Sequence, residues 1–99
     1  MAKHVSAVRF VVKQDMGDAF KEVSKKTQND GMLDSYFIET GKRTFMWVGV
    51  FESEQHLIDA RPALVANLDM MRHLLEEITP DLGVTDPASG PVFHARGLC

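Results

Sequence analysis

The sequence holds a single cysteine, Cys99, and it is the last residue. No intrachain disulfide can form, so the fold does not depend on an oxidising compartment. A catalytic thiol needs a neighbouring base and a lowered pKa, which a chain end rarely supplies, so Cys99 reads as an exposed terminus. No run of about 18 apolar residues occurs, which argues against a transmembrane helix. The opening MAKHVSAVRFVV is interrupted by Arg9 and ended by Lys13. It lacks the continuous apolar core and cleavage pattern of a signal peptide, and the expected location is the cytoplasm.

Positive charge is not in excess either. The net charge is -3, with acidic and basic residues interleaved. Without a basic stripe, neither nucleic acid nor an anionic membrane is an expected partner. Chemical motifs are sparse. His4, His56, His73 and His94 make no HxH, HxxxH or HExxH spacing, so no metal site is expected. GxGxxG, the P-loop and GxSxG are absent, and no cofactor is expected.

What remains is an ordinary globular composition, 44% hydrophobic and 25% charged over 99 residues. That length suits one domain, 1–99, with one modest core. Residues 4–13 (HVSAVRFVVK) read as a strand, with Val8, Phe10 and Val12 on one face and Val5, Ala7, Arg9 and Val11 on the other. Asp15 is placed to cap a helix, with Asp18 as box partner, whose apolar spacing is Met16, Phe20, Val23 and Thr27. Asn29-Asp30-Gly31 would end it, Gly31 taking the left-handed position. Residues 32–40 and 43–51 read as a hairpin about Gly41-Lys42. Ser53 is placed to cap the next helix, with Glu54 near its positive end. Pro62 either starts a new helix or kinks one long one. Leu64, Leu68, Met71, Leu75 and Ile78 then form a helical stripe. Thr79 to Pro91 reads as a loop stiffened by Pro80, Pro87 and Pro91, covering a cleft mouth, wrapping the partner subunit or tethering a last strand at PVFHAR.

The order β-α-β-β-α-β predicts an α+β, ferredoxin-like fold: a four-stranded antiparallel sheet with two helices on one face. The strands are apolar on both faces. In the third, Phe45, Trp47 and Phe51 oppose Met46, Val48 and Val50. Two helices cover one face only, and the other would expose a large apolar patch. A closed two-fold homodimer is the expected remedy. A bulge that shifts the face assignments is the alternative.

The element order, the two-sided third strand and the junction VGVFESEQHL (48–57) resemble the antibiotic biosynthesis monooxygenase-like family, from Val5 to Ile78. That resemblance implies a dimeric α/β barrel. It also implies two enzymatic precedents. One is cofactor-independent oxygenation of small aromatic metabolites in a cleft between sheet and helices. The other is haem degradation, using an Asn on the first strand with a Trp and a His near the second helix. The haem pattern is not matched: the first strand has no Asn, and Trp47 lies in the third strand. No catalytic residue of the oxygenase precedent transfers position by position.

Three residues are candidates for catalysis. Tyr36 offers a phenol and Asn67 an amide. His56, near a helix N-terminus, is disfavoured as a cation and suited to a neutral base. Each also has a plainer role: a wet rim, a flank of the helix, a solvated surface. At about 100° per residue, Asn67 falls roughly 65° from the stripe's centre and His73 nearly opposite it. Trp47, Phe20 and Met71 are the candidates for substrate binding, Trp47 as a stacking surface. The rival readings are a non-catalytic module that binds a small molecule, and a dimerisation domain with a filled interior.

Overall fold

A computed structural model describes residues 2–27 and 31–96. The elements are β1 (His4–Val11), α1 (Gly17–Ser24), β2 (Asp34–Glu39), β3 (Thr44–Phe51), α2 (Glu54–Met71), a short 3₁₀ turn (Arg72–Leu74) and β4 (Asp86–Pro91). The strands form one antiparallel sheet in the order β2-β3-β1-β4. This is the ferredoxin-like arrangement, with two helices and four strands.

The pleat sorts the side chains. β3 alternates without a bulge: Phe45, Trp47, Gly49 and Phe51 are buried, and Met46, Val48 and Val50 half-buried. The buried set pairs with Phe10, Val8, Ser6 and His4 of β1. Helix residues Phe20, Leu57, Ala60 and Met71 complete one core on that side. The other face carries Val5, Ala7 and Val11 beside Met46, Val48 and Val50, with Tyr36 and Ile38 exposed on β2. No helix covers it.

α1 is anchored by Phe20, with Val23 also packed against the core. Phe20 is 1% exposed, and its ring lies 4.7 Å from that of Phe45 and 5.6 Å from that of Phe10. Asp15 does not cap this helix. Its φ of 64° places it in a turn that the Met16 N–H closes onto the Lys13 carbonyl, and Met16 stands at the N-cap. Left-handed backbone is a conformation Asp tolerates, which serves the turn and not the cap. The helix also ends early, at Ser24. The Ser24 hydroxyl donates to the Phe20 carbonyl and the Thr27 hydroxyl to the Ser24 carbonyl, each at 2.8 Å. Such local bonds compete with helix continuation. Gly31 does adopt a left-handed φ, of 83°, but seven residues beyond that end. Asn29, Asp30 and Cys99 lie outside the described residues.

α2 starts as expected. Ser53 is extended, and its hydroxyl oxygen accepts from the His56 N–H at 3.4 Å. Pro62 lies inside a single continuous helix. The stripe is helical only to Met71. Beyond it the backbone pairs with the end of β1: Lys13 N–H donates to Leu74 O and Glu76 N–H to Val11 O, each at 2.8 Å. Leu75 therefore reaches the core as an extended residue facing Val12, and Ile78 sits in a turn.

The reading of 79–91 as one loop needs correction. Its second half is β4, and the fourth strand is Asp86–Pro91, not PVFHAR. The Val92 N–H donates to Lys3 O, so by alternation the amides of Asp86, Ala88 and Gly90 face β1. Positions 87, 89 and 91 then aim their nitrogens away from the sheet. Two are proline, which an edge strand accepts on its outer side.

Gly49 marks a close approach. A Cβ there would sit 2.6 Å from the Trp47 indole. The buried ring cannot swing clear cheaply, so Gly49→Ala is expected to destabilise the fold by about 1–3 kcal/mol. Urea melts measure this. An unchanged midpoint would show that the indole is free to move.

Candidate functional site

α2 is held against the sheet at both ends. Leu57 and Ala60 are buried near its start, and Met71 with Leu74 and Leu75 at its finish. Leu64 and Leu68, between them, are only half-buried. Under that span lies a cleft of about 230 Å³. Its floor is β1 and β3 (Val8, Phe10, Trp47), one wall is Phe37 and its roof is Leu64, Leu68 and Met71. Thr85 and Pro87 border it on the β4 side, and Thr27 lies beyond α1. The lining is apolar apart from Ser6, Thr27, Arg61, Asn67 and Thr85.

Trp47, Met71 and Asn67 are thus brought together. Asn67 is buried and turned inward, more so than a helical wheel centred on the full stripe indicates. Phe20 stands apart, as a core ring that meets Phe37 edge-on at 6.1 Å. It borders a second hollow of about 330 Å³ beside α1, whose rim carries the Lys21–Glu39 ion pair at 3.1 Å.

Tyr36 lies on the opposite face of the sheet. Its register partner is Val48, whereas the cleft side of β3 is that of Trp47, and its hydroxyl donates to the Asp34 carboxylate. His56 is exposed in the first turn of α2, its Nδ1 2.7 Å from the Ser53 hydroxyl. His73 is exposed as expected. No group of three or more His, Cys, Asp or Glu is placed to hold a metal ion among the described residues. No described helix is long and apolar enough to cross a membrane.

Sequence reasoning missed Phe37 and Arg61. Phe37 was hidden because a helix-facing position on an edge strand looks the same as an outward one. Arg61 had a usable signal: it extends the stripe of Leu64, Leu68 and Met71 backward by three residues, a lone charge at an apolar position.

No protein-family model and no curated protein sequence matches the chain. Solved structures do. A candidate antibiotic biosynthesis monooxygenase from Nitrosomonas europaea superposes with a TM-score of 0.76 at 13% identity, covering 97% of this chain and 95% of that one. A variant of SnoaB, a cofactor-independent oxygenase from Streptomyces nogalater, does so at 0.76 and 11%, covering 99% and 100%. This chain has the fold of the antibiotic biosynthesis monooxygenases. A dimeric ferredoxin-like protein from an uncultured marine organism shares it too, with a TM-score of 0.73 at 5% identity, covering 100% and 95%.

Trp47 is the sole tryptophan and is 7% exposed at the cleft floor. Its fluorescence is expected to lie to the blue of free tryptophan and to resist acrylamide. A Stern–Volmer slope near that of free tryptophan would place the indole in water.

Proposed function

We propose that this chain is a homodimeric, cofactor-independent monooxygenase acting on a small aromatic metabolite held in the cleft beneath α2. The observation that carries the reading is the cleft itself, an apolar slot with an indole floor and a single buried amide, Asn67. Such a site buries a planar apolar body and orients it through a few polar groups. The oxygenase name borne by SnoaB, a neighbour in fold, agrees with it.

In this chemistry the substrate itself reduces dioxygen. With anthrone, the ring CH₂ becomes the carbonyl of anthraquinone, one oxygen atom entering the ring and the other leaving as water. Each turnover consumes one O₂ and needs no external reductant. The reactive form is the carbanion-enolate left when a CH₂ proton departs. The described cleft lining contains no carboxylate, imidazole or phenol, so that proton leaves through solvent at the mouth. Asn67 holds the enolate oxygen, and the apolar walls exclude water around the ring.

The homodimer forms through the uncovered sheet face. Val5, Ala7, Val11, Met46, Val48 and Val50 are half-buried in one subunit and would be sealed by a second copy. The lack of an acid–base group also favours a second reading, a module that binds such a molecule without turning it over.

An oxygen electrode with anthrone separates the two. The expected result is O₂ uptake matched by anthraquinone, rising with pH as the substrate ionises. Asn67→Ala is expected to lower turnover about 10²-fold with the fold intact by circular dichroism. Binding of anthrone without O₂ uptake leaves the binding module. For the assembly, sedimentation velocity is expected to show a dimer, and Val48→Glu a monomer. A monomeric parent chain would remove the dimer from the proposal.

A further inference from the structure

The cleft lining carries one charge, and it is positive. Arg61 stands at the mouth, on α2, and no acidic side chain lines the cleft among the described residues. The other arginines within secondary structure or its joints are engaged. Arg9 pairs with Asp86 at 2.9 Å, Arg43 with Glu76 at 2.7 Å and Arg72 with Asp69 at 3.3 Å. Arg61 has no such partner among the described residues. Its helical neighbours at three and four positions are Leu57, Ile58, Leu64 and Val65, so no carboxylate is in reach along the helix. Asp59 is occupied by the Gln55 amide at 2.9 Å.

A chain of net charge -3 thus presents an unneutralised guanidinium at the rim of an apolar slot. A planar guanidinium matches a carboxylate in a two-pronged geometry that lysine does not offer. Arg61 and Asn67 are six residues apart on α2, about 9 Å along its axis. That is close to the length of a fused-ring system. Asn67 at the inner end and Arg61 at the mouth would hold the two ends of one elongated molecule.

We infer that Arg61 selects for an anionic group, and that the natural ligand of the cleft is an aromatic carboxylate with its ring on Trp47 and its carboxylate at the rim. This rests on the cleft reading proposed above and narrows its substrate class.

Naphthoate and neutral naphthamide are the probes, read by quenching of Trp47 fluorescence. The wild type is expected to bind naphthoate about tenfold more tightly than naphthamide, and 0.5 M salt to shrink that margin only in part. Arg61→Gln is expected to abolish the preference by weakening naphthoate about tenfold more than naphthamide, and Arg61→Lys to restore part of it. The position is exposed, so both variants are expected to keep the parent's unfolding midpoint. Equal affinity for the two probes in the wild type, or a preference that survives Arg61→Gln, would overturn the inference and leave the cleft reading standing. Binding of neither probe would overturn both.

Discussion

A four-stranded sheet has two faces, and this chain supplies two helices, both on the same one. Everything else follows from how that side is filled. β3 puts Phe45, Trp47 and Phe51 inward, with Gly49 leaving room for the indole. Phe20 fixes α1 over Phe10 and Phe45 through three neighbouring rings. α2 must then cross the rest of the face alone. It is clamped at Leu57 and Ala60 and again at Met71, and in its middle turns Leu64 and Leu68 pack on the core only half-buried. The cleft is the space under a helix fastened at its ends. Its apolar character comes from core residues that lack a partner above them, not from a separate set of residues added for binding.

The fold was legible because the periods were clean. Two-residue alternation in β1 and β3, the Ser53 cap and the stripe through Leu64, Leu68 and Met71 each indicate a local structure that the tertiary packing also wants. Where reading failed, a second force overrode the local one. Leu75 has helical spacing but sits where the end of β1 needs a backbone partner, and the pairing won. Asp15 has capping chemistry but is spent on a left-handed turn. The Pro-rich run at 86–91 looks like a loop by composition, and only its place on the sheet edge makes it a strand.

The site was legible in part. Trp47, Asn67 and Met71 converge because strand alternation and helical phase put them on facing surfaces. Tyr36 could not be placed without register: one residue decides which side of a sheet a phenol occupies. Arg61 was passed over because a charge is normally read as solvent-facing. Here that is true of its head group while its position belongs to the apolar stripe, as is common for long cationic side chains.

The two margins of the sheet differ in what they allow. On β4 the outward backbone positions are Pro87, Ser89 and Pro91, which together offer one amide. β2 carries no proline, only Asp34 and Glu39 at its ends. Filament growth by strand addition must join unlike margins, β2 of one copy to β4 of the next, and repeat without limit. The prolines close half of that joint. The remaining option, β2 against β2, pairs two copies and then stops, because neither has a second such edge to give. Crowding or partial unfolding would therefore drive this chain towards finite assemblies sooner than towards fibres.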